Sequence, residues 1–80
     1  MRLDKYLKVS RIIKRRAVAN EACSLGRVQI NGREAKPSAE VKVGDLLDIL
    51  MGGKHFSIKV TSVREYAGKA DAAEMYEVLS

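Results

Sequence analysis

Residues 26–32 have the sequence Gly-Arg-Val-Gln-Ile-Asn-Gly, and the hydrophobic periodicity of the chain changes within this segment. Before Gly26 the apolar residues recur at helical spacing, whereas Val28 and Ile30 alternate with polar neighbours, as in a strand with one buried face. Gly26 suits the left-handed position that ends many helices. The pair Asn31-Gly32 strongly favours a two-residue hairpin turn. The segment therefore predicts a helix that ends near Gly26 and a β-hairpin that follows it.

The first predicted helix runs from Arg2 to Val9. The residues on its packed face are Leu3, Tyr6 and Leu7, and those on its charged face are Asp4, Lys5 and Lys8. A break is predicted near Val9 to Ser10, because the β-branched pair Ile12-Ile13 is a poor helix interior. The chain thus begins with a short amphipathic helix.

The second predicted helix runs from about Arg15 to Leu25. Its expected buried stripe consists of Val18, Ala22 and Leu25, with Ala19 and Cys23 at the margin. Arg16 and Asn20 are expected to project from the opposite side of this helix.

A small antiparallel sheet of three or four strands is predicted after the second helix. The hairpin returns over Arg33 to Lys36 and ends at Pro37, because proline cannot donate to a strand ladder. Two further strands are predicted over residues 46–50 and after Gly52-Gly53. From Ala67 to Ser80, the spacing favours a short terminal helix, although Tyr76 and Val78 also suit a strand.

The predicted fold class is α+β, with two N-terminal helices packed on this sheet. Eighty residues with 46% hydrophobic and 31% charged side chains are typical of one small folded domain, taken as residues 1–80. A lone Cys23 excludes an internal disulfide and a structural zinc site. No apolar run approaches a membrane span of about 18 residues. We therefore expect a cytoplasmic protein without a metal or cofactor.

The net charge of +5 is concentrated in the first half of the chain. Residues 1–40 carry ten basic and four acidic side chains, whereas residues 41–80 carry five and six. Seven of the cations lie within residues 2–16: Arg2, Lys5, Lys8, Arg11, Lys14, Arg15 and Arg16. A nucleic-acid backbone is the common partner of such a surface. The alternative is a solvated basic face that only keeps the protein in solution.

Two residues near this basic segment have alternative interpretations. Asp4 either complements the helix dipole and pairs with Lys8, or it orients a neighbouring arginine for RNA. Arg27 either flanks the hairpin only, or lies near Arg16 and Asn20 in the folded protein.

Three separated blocks of the sequence resemble the αL RNA-binding motif, which is named after a small-subunit ribosomal protein. The blocks are Arg2-Leu3-Asp4-Lys5-Tyr6-Leu7, then Arg11 with Arg15-Arg16-Ala17, and residues 26–32. The Lys42-Val43-Gly44-Asp45 turn matches the usual close of the motif, so the resemblance spans about residues 1–50, and residues 51–80 add strands and a C-terminal element. The whole chain resembles stand-alone members, namely the fifteen-kilodalton heat-shock protein family and, more closely, the family of ribosome-associated quality control factor P.

The resemblance implies a non-catalytic RNA-binding protein that acts on split large ribosomal subunits and supports tailing of stalled nascent chains. The implied partners are large-subunit ribosomal RNA, peptidyl-tRNA and other quality-control factors, with a monomeric protein and no membrane contact. The RNA-binding positions that the motif implies are Arg2, Asp4, Lys5, Arg11, Lys14, Arg15, Arg16, Asn20 and Arg27. Asn20 occupies a position that is often basic in relatives, which implies a weaker contact.

Three other functions fit the sequence less well than RNA binding. A DNA-binding helix-turn-helix protein needs base-reading side chains on its second helix, where only Arg16, Asn20 and Ser24 are available. An RNA-modifying enzyme needs a separate catalytic domain, for which eighty residues leave no room. Binding to a membrane surface needs an apolar helix face, but that of the first helix is expected to pack in the core.

Overall fold

The computed structural model describes residues 1–79, and it has two N-terminal helices, a five-stranded antiparallel sheet and a one-turn helix before the last strand. In chain order the elements are α1 (Leu3–Val9), α2 (Arg16–Ser24), β1 (Val28–Ile30), β2 (Arg33–Glu34), β3 (Leu46–Met51), β4 (Lys54–Val60), α3 (Lys69–Ala72) and β5 (Tyr76–Val78). The strand order is β2-β1-β3-β4-β5. The predicted α+β class, with two N-terminal helices on an antiparallel sheet, is confirmed.

The junction between α2 and the hairpin has the predicted geometry. Gly26 has a φ of 73°, and its N–H donates to the carbonyl of Cys23 at 3.0 Å. Asn31 and Gly32 have φ values of 51° and 83°, as a type I′ turn requires. A side chain at Gly26 would also displace the exposed carboxylate of Glu34 on the returning strand, which can move away. Glycine is therefore favoured at this position by its backbone conformation.

Helix α1 is held by the segment before β3. Its N-cap residue, Arg2, provides no side-chain cap. Instead, the N–H of Leu3 donates to the carbonyl of Ala39 at 2.8 Å, and that of Asp4 donates to Pro37 at 3.1 Å. These bonds satisfy donors that the helix leaves unpaired at its N-terminus. They also connect the start of α1 to the segment before β3.

The core lies between the helices and the inner face of the sheet. Its buried members are Leu3, Tyr6, Leu7, Ile13, Ala19, Ala22, Cys23, Val28, Val41, Leu47, Ile49, Ile58, Val60 and Met75. The hydroxyl of Tyr6 donates to the carbonyl of Met75 at 2.7 Å, which connects α1 to the turn before β5. Burial raises the pKa of Tyr6 well above its usual value, with the nearby Tyr76 as a further cause, so this hydroxyl stays a donor.

The predicted buried stripe of α2 is confirmed at Ala22 but wrong at Val18 and Leu25. Val18 and Leu25 are 43% and 56% exposed, whereas Ala19, Ala22 and Cys23 are buried. Small side chains allow α2 to pack closely on α1, and Leu25 is already the C-cap residue, beyond the last helical turn. Spacing identified the helix, but not which of two adjacent stripes faces the core.

The predicted short terminal helix is limited to one turn, α3, and the alternative of a strand at Tyr76 and Val78 is confirmed. Residues Tyr76–Val78 pair with β4 as a fifth strand, one more than the three or four predicted. In this register Tyr76 lies opposite Val60 and Val78 lies opposite Ile58. The open edge of β4 gains hydrogen bonds from β5, which outweighs the helical spacing of the segment. Ser80, the last residue of the predicted helix, lies outside the described residues.

Candidate nucleic-acid interface

The carboxylate of Asp4 is the centre of the basic surface, although only 3% of its side chain is exposed. It accepts hydrogen bonds from Nε and Nη2 of Arg2, both at 3.1 Å, and from the backbone N–H of Lys5 at 2.8 Å. The side-chain amide of Asn20 donates to it at 3.3 Å, and Nη2 of Arg16 lies 3.6 Å away. One buried acid therefore connects the start of α1 to the exposed side of α2.

The charge of Asp4 is stabilised by these partners. Burial alone would raise the pKa of Asp4, but hydrogen bonds from Arg2, Asn20 and the N–H of Lys5, with the charge of Arg16, lower it below its usual value. The carboxylate is therefore ionised at neutral pH, and two guanidinium groups converge on it. Arg2 and Arg16 keep 51% and 50% of their side chains exposed. Each can hold Asp4 with one part and face an anion with the rest.

The placement of Asp4 on an exposed charged face was wrong, because Asp4 lies in the contact between α1 and α2. Its ion pairs within residues 1–79 are with Arg2 and Arg16, not with Lys8. The interpretation of Asp4 as an orienting partner for arginine is thus the one that its contacts support. A buried carboxylate without these partners would be costly, so the arginines also stabilise α1 against α2.

Arg11 and Lys14 are exposed in the loop between α1 and α2. Arg11 follows the C-cap residue of α1 and has a left-handed backbone conformation, with a φ of 61°. Its N–H donates to the carbonyl of Lys8 at 3.0 Å. Between the two cations, Ile13 is only 2% exposed and its N–H donates to the carbonyl of Leu7. The buried Ile13 fixes the loop, so that the flanking cations are held at the surface. Arg15 follows as the N-cap residue of α2 and is also exposed.

Lys5 and Arg27 have contacts that the sequence did not indicate. The ammonium of Lys5 forms an ion pair with Glu65, sixty residues along the chain. That partner lowers the pKa of Glu65. Arg27 lies beside Leu50 at the turn between β3 and β4, and its carbonyl accepts from the N–H of that residue at 2.8 Å. The proximity of Arg27 to Arg16 and Asn20 stays a prediction.

A groove of about 900 Å³ extends this surface beyond α1 and α2. One wall comes from α1, the following loop and Arg16, and the other comes from residues 65–69, α3 and Tyr76. Sequence analysis missed the second wall, including Tyr66 and Lys69. The only local signal was one tyrosine in a polar stretch, since the ion pair with Lys5 depends on the fold.

The described residues show no site for a metal or a membrane span. Within residues 1–79, no group of three or more His, Cys, Asp or Glu side chains is placed to hold a metal ion. In the same part of the chain, no helix combines the length and the apolar character needed to cross a membrane. Cys23 is buried, and burial raises the pKa of its thiol to about 11, so it is a packing residue.

Known proteins are similar to this chain in two ways, over its first part and over its whole length. Residues 1–47 match the S4 domain. The chain is 52% identical over 80 residues to a protein of Streptococcus pneumoniae named RQC P-site tRNA stabilizing factor, with 100% of this chain and 91% of the relative covered. A protein of the same name from Bacillus subtilis is 48% identical, with 99% and 92% covered.

A solved structure extends the similarity to the fold. Heat Shock Protein 15 of Vibrio cholerae, described as trimeric, matches with a TM-score of 0.92 and 30% identity. The match covers 100% of this chain and 82% of that protein. Together with the arginines held by Asp4 within residues 1–47, these matches show that the chain belongs to the S4-domain family, in the branch of proteins named RQC P-site tRNA stabilizing factor.

Proposed function

We propose that this protein is a non-catalytic RNA-binding factor of ribosome-associated quality control. It binds large-subunit ribosomal RNA and P-site tRNA on split subunits that carry peptidyl-tRNA, and so supports tailing of the stalled nascent chain. The observation that carries the proposal is the pair Arg2 and Arg16, held half-exposed by the buried Asp4. Relatives named for stabilising P-site tRNA support the choice of ligand.

The residues of this surface are expected to divide into those that bind RNA and those that position the binding side chains. Arg2 and Arg16 bind phosphates or base edges, and Asp4 positions both. Further phosphate contacts are assigned to the exposed cations of the loop and of the hairpin start, namely Arg11, Lys14, Arg15 and Arg27. Lys5 and Asn20 complete the surface, with Asn20 held by Asp4. Selectivity then comes from the shape of structured RNA, because residues 1–79 contain no long recognition helix.

Co-sedimentation with purified large subunits carrying peptidyl-tRNA tests this function. Arg16→Ala should reduce the bound fraction about tenfold or more, because a charge-assisted contact is lost. The matched control is Lys59→Ala, which removes an exposed cation from the outer face of β4. Equal sedimentation of wild type and Arg16→Ala would overturn the assignment of this surface. Stronger binding to a DNA duplex than to the subunits would favour the helix-turn-helix alternative.

A further inference from the structure

The groove beside α1 has one wall that lies outside the S4-domain match. Residues 65–69, α3 and Tyr76 follow the matched residues 1–47, yet they face Lys8 and Arg11 of the matched part across the groove. A volume of about 900 Å³ lies in the range of pockets that enclose small ligands, about 300–1,000 Å³. The groove is therefore large enough to enclose a single nucleotide.

Tyr66 is the most exposed large hydrophobic side chain of the groove, at 91%. The residues on either side of it are anchored, since Glu65 forms an ion pair with Lys5 and Ala67 packs against the core. Because it is almost fully exposed, the ring of Tyr66 contributes little to the stability of the folded protein. Exposed rings beside cations are the usual means by which proteins stack unpaired bases.

The charge of the groove favours a polyanion. Glu65 is its one acidic lining residue, and its charge is compensated by Lys5. Within residues 1–79, no acidic side chain forms an ion pair with the remaining lysines of the groove or with Arg11. These unpaired cations are Lys8, Arg11, Lys14 and Lys69. They lie on both walls, so that a phosphate backbone in the groove would meet positive charge from two sides.

We propose that this groove binds an unpaired nucleotide of RNA, with its base stacked on Tyr66 and its flanking phosphates held by Lys69 and Lys8. The inference rests on the proposed function for the identity of the ligand as RNA. It adds a preference for a loop, bulge or end over a continuous duplex. It also assigns binding to the C-terminal segment, which lies beyond the S4-domain match.

Anisotropy measurements with two labelled RNAs test the proposal. One probe is a hairpin with an unpaired loop, and the other is a continuous RNA duplex with the same number of phosphates. Tyr66→Ala should weaken binding of the hairpin at least about fivefold and leave the duplex unchanged, whereas Tyr66→Phe should keep wild-type affinity. Lys69→Ala should weaken binding of the hairpin, with Lys59→Ala as the matched control.

A fluorescence experiment separates stacking from simple proximity. The chain has no tryptophan, so Tyr66→Trp introduces a single indole. The hairpin should quench this indole, and the duplex should not. His55→Trp, at an exposed position of β4, should be unaffected by either RNA.

The outcomes separate this inference from the proposed function. If Arg16→Ala weakens both RNAs but Tyr66→Ala affects neither, or affects both equally, the stacking site is wrong and RNA binding by the arginine surface stands. If Arg16→Ala leaves both RNAs unchanged, the proposed function fails. If the wild type binds polyglutamate and Tyr66→Ala does not, the groove is assigned to an acidic peptide instead.

Discussion

The Asp4 carboxylate lies 3.1 Å from both Nε and Nη2 of Arg2, in a pocket where only 3% of the acid but 51% of the arginine is exposed. The pair joins a buried anion to a half-exposed cation. Arg16 approaches the same carboxylate from α2 at 3.6 Å. The orientation of both arginines therefore depends on a residue that RNA itself would repel.

Asp4→Asn distinguishes positioning from simple charge. Removal of a negative charge should strengthen RNA binding if net charge alone mattered. Because Asp4 orients Arg2 and Arg16, we expect the opposite, an affinity for subunits that falls about tenfold as in the loss of a charge-assisted contact. Filter binding at fixed salt measures the change, and Glu77→Gln on β5 is the control for removal of an exposed negative charge. A gain in affinity for Asp4→Asn would contradict the positioning role.

Acid should remove the contribution of Asp4 to stability. The folded protein holds the pKa of Asp4 below its unfolded value, so the stabilisation is present above that unfolded value and is lost as pH falls through the folded one. Wild type should exceed Asp4→Asn in free energy of unfolding by about 1–3 kcal/mol at pH 7. Below about pH 4 the difference should shrink. Urea titrations at pH 7 and pH 3 check this, and a constant difference would contradict it.

Arg11→Gly should separate stability from binding. The left-handed φ of 61° costs a non-glycine residue about 1–2 kcal/mol, and the greater backbone entropy that glycine loses offsets part of the gain. We expect a free energy of unfolding that is unchanged or raised by up to about 1 kcal/mol, with weaker binding to large subunits. Arg11→Ala should weaken binding equally without the gain. Unchanged binding in both variants would show that Arg11 does not contact RNA.

Gly26→Ala should destabilise the protein by the usual cost of a left-handed alanine, about 1–2 kcal/mol. The φ of 73° accounts for that cost, because the exposed carboxylate of Glu34 can move away from an added methyl group. Chemical denaturation of Gly26→Ala in the wild-type and Glu34→Ala backgrounds checks this. An equal loss in both backgrounds is expected, and a smaller loss in the Glu34→Ala background would show that the carboxylate resists displacement.

Salt dependence provides an independent count of phosphate contacts. Each cation that binds a phosphate releases counterions, so Arg2→Ala or Arg16→Ala should lower the slope of log affinity against log salt by about one. Lys59→Ala should leave the slope unchanged. Measurements of affinity over a range of salt concentrations supply the slopes, and equal slopes for all four proteins would argue against phosphate contacts at both arginines.

Local patterns predicted much of the fold because they act over a few residues. The left-handed Gly26 and the Asn31-Gly32 turn follow from backbone conformation alone, and the structure has both. The break after α1 follows from the poor helical preference of Ile12-Ile13. The spacing of Tyr76 and Val78 suited a strand as well as a helix, and the choice of the strand β5 depends on the open edge of β4.

The amino-acid sequence by itself determined the helix-to-hairpin switch, the concentration of positive charge in residues 1–40 and the resemblance to an RNA-binding family. Only the tertiary structure decided that Asp4 is buried between α1 and α2, that Glu65 contacts the first helix, and that Tyr66 lines the same groove. The reason is physical. Turn and helix preferences are local properties of the backbone, whereas the environment of a side chain depends on what long-range packing places beside it.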